Sequence, residues 1–142
     1  MRVAVTGATG FIGRRLCARL AEAEHEVRAL VRRSGALNDE RIATVLGDLG
    51  DVDALATLVD GADALVHLAG AVRGVDRAAF DAVNVDGTRN VCEAAIAAGV
   101  KRFVYMSSCS VYGVASQDEV TEEASVNPQT VYADCKVRCE RD

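Results

Sequence analysis

Long apolar runs, a basic surplus and low-complexity segments are all missing from this sequence, and each absence excludes a class of protein. No segment approaches the roughly 18 consecutive apolar residues of a membrane span, so we expect no membrane partner. Acidic residues outnumber basic ones, 21 to 16, and a net charge of -5 creates no field that attracts nucleic acid. With 50% hydrophobic and 26% charged residues, the composition is that of a globular protein.

Cysteine and histidine are too few and too scattered for a disulfide framework or a metal site. The five cysteines are an odd number, which favours reduced thiols in a cytoplasmic protein. The two histidines and the separated cysteines lack the spacing of a ligand set, so no metal is expected. The N-terminus reads MRVAVTG, which resembles a strand and a turn and not a secretory signal. We therefore expect a cytoplasmic location.

Short apolar runs alternate with segments of helical periodicity. Five runs predict buried strands at residues 3–6, 27–31, 43–46, 64–68 and 103–106. Three amphipathic patterns predict helices, namely Ile12, Leu16 and Leu20, then Leu55, Leu58 and Val59, then Phe80, Val83, Gly87, Val91, Ala94 and Ala98. The alternation predicts an α/β fold with a doubly wound parallel sheet of Rossmann type. Right-handed crossovers favour the strand order 3-2-1-4-5, with a ligand crevice between strands 1 and 4.

The chain has the length of one domain, which we place over residues 1–142. Gly99 predicts the C-terminal stop of the third helix, and Ser116–Pro128 predicts an exposed loop before a last helix that begins near Thr130. The last helix shows neither a C-cap nor a following strand. We therefore expect a sheet that is truncated before its last strands, with no second domain.

A glycine-rich turn lies directly between the first strand and the first helix. The segment TGATGFIG places Gly7, Gly10 and Gly13 where the strand meets the helix. A pyrophosphate needs backbone N–H groups that no side chain blocks, and the N-terminus of a helix adds partial positive charge. The pattern predicts a dinucleotide site, whereas a glycine turn without a ligand is the alternative.

Tyr132 and Lys136 are four residues apart, so a helix places them on one face. A tyrosine titrates near pH 10, and acting as a base near neutrality requires roughly 4 kcal/mol of phenolate stabilisation. An exposed ion pair supplies at most ~1 kcal/mol, so the pair needs a site that excludes water. The alternative is an exposed aromatic ring beside a solvated lysine.

Seven motifs in one order carry a resemblance to a known family: TGATGFIG, ALVRR, GDL, HLAG, NVDGT, SSCSVYG and YADCK. The chain resembles the extended short-chain dehydrogenases/reductases, especially the nucleotide-sugar epimerases and dehydratases, over its whole length. The resemblance implies an NAD(P)-dependent enzyme that transfers hydride at a secondary alcohol or ketone of a sugar nucleotide or a similar carbonyl substrate. It also implies a C-terminal substrate domain outside these residues, so we expect the 142-residue chain to be catalytically incomplete. A non-catalytic dinucleotide sensor and an inactive fragment are the alternatives.

The resemblance also assigns roles to individual residues. Tyr132 is the acid/base, Lys136 stabilises the tyrosinate and holds the ribose, and Ser108 orients the substrate. The positions expected to bind the cofactor are Gly7, Thr9, Gly10, Phe11, Ile12, Gly13, Arg32, Asp48, Leu49, Leu68, Ala69, Gly70, Asn84, Tyr132 and Lys136. Asp48 could equally cap the helix that follows it. Cys109 and Ser110 stand where dehydratases carry an acidic pair, which disfavours dehydration, and Cys109 is expected to be half-buried.

Two further expectations concern the cofactor and the assembly. Arg32 ends the second strand where relatives that prefer NAD carry an acidic residue, and an arginine there accommodates the 2'-phosphate of NADP. We therefore expect NADP to be preferred over NAD, although Arg32 and Arg33 could be a solvated strand end. The resemblance also implies a small-molecule substrate and a homodimer through the third helix and the Tyr/Lys helix.

Overall fold

A computed structural model describes residues 1–114 and 120–141. The chain divides into two compact units. The first comprises Met1–Gly70 and Asn90–Met106, and the second comprises Ala71–Arg89 and Ser107–Asp142. None of the helices in the described residues is long and apolar enough to cross a lipid bilayer.

The first unit is built on a parallel sheet of five strands. The strands are β1 (Arg2–Thr6), β2 (Glu26–Val31), β3 (Ile42–Leu46), β4 (Ala64–His67) and β5 (Arg102–Tyr105). Their order in the sheet is β3-β2-β1-β4-β5, and every neighbouring pair is parallel. Both the five strands and their order agree with the sequence-based prediction.

Five α-helices are found in the described residues: α1 (Phe11–Glu22), α2 (Val52–Val59), α3 (Arg77–Asp81), α4 (Gly87–Ala97) and α5 (Val131–Arg141). Successive side chains of β1 point to opposite faces of the sheet. Ala4 packs into a cluster with Leu55 and Leu58 of α2, whereas Val3 and Val5 pack into a second cluster with Cys17 of α1. The sheet is therefore covered on both faces, as a doubly wound fold requires.

The buried face of α1 differs from the prediction by one position. Ile12 was expected to face the core but is 50% exposed, whereas Gly13 and Cys17 are buried. Gly13 has no side chain, so this turn of the helix approaches the preceding backbone closely and turns Ile12 outward. Burial raises the pKa of the Cys17 thiol to about 11, so it packs as a neutral group.

The predicted third helix is not a continuous α-helix. Residues Ala82–Asp86 form a π-helical turn between α3 and α4. A π turn contains an extra residue and rotates the face that follows it. Val83, which was expected on the buried face, is 39% exposed, and Asn84 and Val85 are buried instead. Gly87 and Val91 are buried as expected, together with Thr88 and Ala95.

The end of α4 and the start of α5 agree with the predictions. Gly99 has a φ of +69° in the left-handed region just after α4, and the N–H of Val100 donates to the carbonyl of Ala95 at 3.0 Å. Thr130 caps α5, because its hydroxyl accepts from the N–H of Ala133 at 3.1 Å. Of the loop predicted at 116–128, residues 116–119 lie outside the described part, and most of the others are exposed.

The cap of α2 is Asp51 and not Asp48, which corrects one of the sequence-based alternatives. The Asp51 carboxylate accepts from the N–H of Ala54 at 3.0 Å. The Asp48 carboxylate instead accepts from the N–H of Gly50 at 2.8 Å. Asp48 therefore orders the turn after β3 and does not cap the N-terminus of α2.

We predict that Asp51→Ala lowers the free energy of unfolding by about 1 kcal/mol, because an N-terminal amide of α2 loses its acceptor. Asp53→Ala is the matched control. Asp53 lies in the first turn of the same helix and acts only through the helix dipole, so its loss should cost about 0.5 kcal/mol or less. Urea denaturation monitored by circular dichroism measures both, and equal losses would contradict a capping role for Asp51.

Candidate functional site

Gly7, at the end of β1, lies in a conformation and a contact that only glycine fits. Its φ is +70°, which disfavours side chains. A Cβ at Gly7 would lie 2.6 Å from the backbone nitrogen of Ala69 and 2.7 Å from the carbonyl carbon of Leu68. The turn after β1 is therefore packed directly against the backbone that follows β4.

The other two glycines of the motif shape the start of α1. A Cβ at Gly13 would overlap the carbonyl oxygen of Gly7, and the N–H of Gly10 donates to that same oxygen at 3.0 Å. Within the described residues, no side chain caps the N-terminus of α1. Phe11 is 98% exposed beside it. The first amides of α1 are thus available to a phosphate group, together with the positive end of the helix dipole.

A buried polar pair joins the ends of β1 and β4. The Thr6 hydroxyl accepts from the N–H of Ala69 at 3.3 Å and shares a hydrogen bond with Nδ1 of His67. His67 is fully buried, and its ring stacks on that of Tyr105 at 5.8 Å. His67 is therefore a core residue, and it supports the backbone against which Gly7 packs.

Three arginines line a cavity of about 390 Å³ beyond β2. Arg32 and Arg33 follow the strand, and Arg14 comes from the first turn of α1. Arg14 donates to the carbonyls of Thr9 and Ala36, both at 3.0 Å, and these bonds hold its guanidinium at the rim. Sequence reasoning did not identify Arg14, although its position directly after Gly13 was a signal. Guanidinium groups bind phosphate oxygens through paired N–H donors.

The carboxyl ends of parallel strands lie at the same edge of a sheet, and the predicted cofactor residues of the first unit follow four of them. Gly7 follows β1, Arg32 follows β2, Asp48 follows β3 and Leu68 follows β4. Asp48 is exposed at this edge. The fold therefore brings together along one edge residues that are far apart in sequence.

In the second unit, Asn84 is buried in the π-helical turn and tied to the backbone. Its amide pairs with both backbone groups of Ala71, at 2.8 and 3.0 Å. Its own carbonyl accepts from the Thr88 hydroxyl and from the Cys139 thiol. The Asn84 side chain thus fixes the segment that begins at Ala71, and its main chain contacts the helix that carries Lys136.

Lys136 is buried, with 4% of its surface exposed, and Tyr132 is half-buried. The Lys136 ammonium lies 5.7 Å from the centroid of the Tyr132 ring. Burial lowers the pKa of Lys136 from its ordinary value. The alternative of a solvated lysine beside an exposed ring is therefore wrong.

Ser108 begins a short 3-10 turn at Cys109–Tyr112. Its hydroxyl lies 2.8 Å from that of Ser110 and accepts from the N–H of Ser110 at 3.2 Å. The sequence pointed to Ser110 only because dehydratases carry an acidic residue at this position. Cys109, which was expected to be half-buried, is exposed because the turn directs it outward.

Ion pairs and a thiol hydrogen bond anchor α5 to α3. Arg138 binds Asp81 at 2.7 Å, and Arg77 binds Asp134 at 2.7 Å. The Cys135 thiol donates to Asp81 at 3.3 Å. Hydrogen bonding from Cys135, together with the charge of Arg138, lowers the pKa of the Asp81 carboxyl. These contacts fix the helix that carries Tyr132 and Lys136.

Comparison with protein families agrees with this geometry. The model of the NAD dependent epimerase/dehydratase family matches residues 3–142. The chain belongs to this family, and its structural neighbours and relatives are extended short-chain dehydrogenases/reductases.

The relatives of this chain differ in the activities that their names state. A ceramide reductase of Caulobacter vibrioides is 44% identical over 109 residues, which are 75% of this chain and 34% of the relative. A UDP-glucose 4-epimerase of Mycolicibacterium smegmatis is 39% identical over 151 residues, which are 96% of this chain and 48% of the relative. The crystal structure of a short-chain dehydrogenase/reductase superfamily protein from Agrobacterium tumefaciens with bound NAD superposes with a TM-score of 0.89 at 34% identity, covering 99% of this chain and 43% of that one. The chain thus spans between a third and a half of these relatives.

We predict that Gly7→Ala abolishes measurable dinucleotide binding, because the added Cβ displaces the backbone of Leu68 and Ala69. Gly99→Ala is the matched control, since Gly99 has almost the same φ of +69° and nothing within 4 Å of an added Cβ. Both variants should lose about 1 kcal/mol of stability to backbone strain. Gly7→Ala should lose more, because the backbone of Leu68 and Ala69 is displaced, and it alone should lose the ligand. Cofactor titration by fluorescence and thermal unfolding test this. Equal binding by the two variants would contradict the proposed contact.

Proposed function

We propose that this chain is the cofactor-binding part of a carbonyl reductase that uses NADP(H) in preference to NAD(H). The observation that carries the proposal is the arginine cavity after β2. Its lining includes Arg14, Arg32 and Arg33, and no carboxylate among the residues that the structure describes. A 2'-phosphate on the adenosine ribose would find paired N–H donors there, whereas the free hydroxyls of NAD would find no carboxylate acceptor. The uncapped amides of α1 suit the pyrophosphate of either cofactor.

The same cavity favours net reduction over epimerisation. A reductase oxidises one NADPH in each turnover, so selection of the phosphorylated cofactor links it to the reducing pool. An epimerase returns its cofactor to the starting state and gains nothing from that selection. The 44% identity to a ceramide reductase supports this choice, while the 39% identity to a UDP-glucose 4-epimerase keeps epimerisation as the alternative.

The residues of the second unit suit the proton chemistry of such a reaction. When bound, the cofactor supplies the hydride that the carbonyl carbon receives. Tyr132 donates its phenolic proton to the carbonyl oxygen, which becomes the alcohol, and is left as phenolate. Lys136 stabilises that phenolate strongly, because its ammonium is buried and water screens it little. Ser108 donates a hydrogen bond to the same substrate oxygen and orients it.

Three further expectations remain proposals. The presence of Tyr132 and Lys136 together, with the lysine buried, favours an enzyme over a non-catalytic dinucleotide sensor. None of the five cysteines, which all lie in the described residues, forms a disulfide bond, and this suits the cytoplasm. A homodimer through the third-helix segment and α5 is still expected from the family resemblance.

We predict that the protein binds NADPH more tightly than NADH, by about tenfold or more, because each phosphate contact to a guanidinium contributes roughly 1.5–3 kcal/mol. Arg14→Ala should remove most of that preference while leaving NADH affinity nearly unchanged. Arg32→Asp should also move the preference toward NADH, because the new carboxylate can accept from the ribose hydroxyls. Arg19→Ala is the control, since Arg19 is exposed on α1 and pairs only weakly with Glu22 at 3.8 Å. Isothermal titration measures the affinities. Equal affinity of the unmodified protein for the two cofactors would refute the proposal.

We predict that Tyr132→Phe in the full-length protein lowers kcat by about 10²- to 10⁴-fold, because the proton donor acts in the transition state. NADPH affinity should stay within a factor of about two, since the phenol proton contributes little to ground-state binding. Tyr112→Phe is the control, because Tyr112 bonds only a backbone carbonyl at 3.4 Å. The assay follows NADPH oxidation with long-chain, steroid and sugar ketones. Retained turnover in Tyr132→Phe would assign the proton transfer to another group.

A further inference from the structure

A hydrogen bond beyond the predicted catalytic residues joins the turn that carries Ser108 to the helix that carries Lys136. Ser107 directly precedes Ser108, and its hydroxyl donates to the carboxylate of Glu140. Glu140 lies on α5, one helical turn beyond Lys136 and about two beyond Tyr132. Positions 132, 136 and 140 therefore share one face of the helix.

The bond from Ser107 bears directly on the placement of Ser108. A hydroxyl that donates to a carboxylate forms a charge-assisted bond, and here the bond lies at the surface because Glu140 is exposed. The next residue along the chain begins the 3-10 turn, in which Ser108 accepts from the amides of Ser110 and Val111. Glu140 therefore anchors the start of this turn to α5.

Glu140 also contributes to the electrostatic environment of Lys136. Burial lowers the pKa of Lys136, while Cys139, Cys135 and Glu140 act in the opposite direction. Burial raises the pKa of the Cys135 thiol to about 11, so Cys135 carries no charge near neutral pH. Glu140 is the carboxylate among these three groups.

Apart from the exposed Cys109, the other ionisable groups that the structure describes on the elements packed against α5 are engaged with partners of their own. These pairs are Arg77 with Asp134, Asp81 with Arg138, Asp86 with Arg89, and Tyr112 with the carbonyl of Glu122. Their charges are thus already compensated locally, or hydrogen-bonded in the case of the phenol. The carboxylate of Glu140 instead accepts from the neutral hydroxyl of Ser107, and its negative charge acts on the Lys136 ammonium.

We propose that Glu140 is a positioning residue for the Tyr/Lys site: its carboxylate holds Ser107, and thereby Ser108, and places a negative charge one helical turn from the Lys136 ammonium. The inference rests on the proposed roles of Ser108, Tyr132 and Lys136. It adds a fourth side chain that acts through these residues without contacting the substrate. The charge and the hydrogen bond are separate contributions, and different substitutions separate them.

Three variants of the chain resolve the two contributions. Glu140→Gln removes the charge but keeps a carbonyl oxygen that accepts from Ser107. Ser107→Ala keeps the charge and removes the hydrogen bond, whereas Glu140→Ala removes both. Lys101 is the other lysine of the chain and is exposed, so it serves as an internal reference for NMR titration of the lysine side chains.

We expect the pKa of Lys136 to fall in Glu140→Gln and Glu140→Ala and to stay unchanged in Ser107→Ala, because only the charge acts on the ammonium. Lys101 should titrate alike in all of them. Hydrogen exchange at the amides of Ser110 and Val111 should quicken about tenfold in Ser107→Ala and Glu140→Ala but stay near that of the parent in Glu140→Gln.

An unmoved Lys136 titration in Glu140→Gln would overturn the proposal, and so would unchanged amide exchange in Ser107→Ala. A purely structural role for Glu140 would alter exchange without altering the titration, which also counts against it. Should Glu140→Ala fail to fold, the other two variants decide the question. Neither measurement uses a cofactor or a substrate, so failure to bind NADPH or to reduce a ketone would count against the proposed function alone.

Discussion

The close approach between the turn after β1 and the backbone after β4 is the constraint on which the cofactor edge of the first unit depends. A Cβ at Gly7 would lie 2.6 Å from the nitrogen of Ala69, so the two segments are in van der Waals contact with no side chain between them. The buried Thr6 hydroxyl holds the same Ala69 amide, and His67 holds the hydroxyl. This contact fixes where α1 begins and thus where its uncapped amides point.

The second unit depends on a different constraint, which is the burial of a charge. Lys136 is 4% exposed, and burial of an ammonium disfavours its charged form. A buried ammonium lowers the stability of the fold unless neighbouring groups replace its hydrogen bonds to water. Functional sites commonly contain groups that lower stability in this way. The ion pairs of Arg138 and Arg77 hold α5 in place around it.

The helical segment before α4 shows how a local irregularity serves both packing and chemistry. A regular α-helix would continue the face marked by Phe80 and Val83, whereas the π-helical turn directs Asn84 inward. There the side-chain amide of Asn84 forms hydrogen bonds with both backbone groups of Ala71. The backbone carbonyl of Asn84 accepts a hydrogen bond from the Cys139 thiol. Asparagine is a poor helix former, and its hydrogen bonds explain its place in a helical segment.

The sequence by itself determined the sheet, its strand order, the glycine turn and the Tyr/Lys spacing, because these follow from periodicity and from short-range geometry. A strand period of two and a helical spacing of four are local properties, and the crossover rule then leaves few topologies. Tertiary structure alone decided the π-helical turn, the cap at Asp51, the recruitment of Arg14 beside Arg32, and the bond between Ser107 and Glu140. Each of these depends on which of several similar side chains reaches a partner across the fold, and that choice is made by packing distances that residue spacing does not encode.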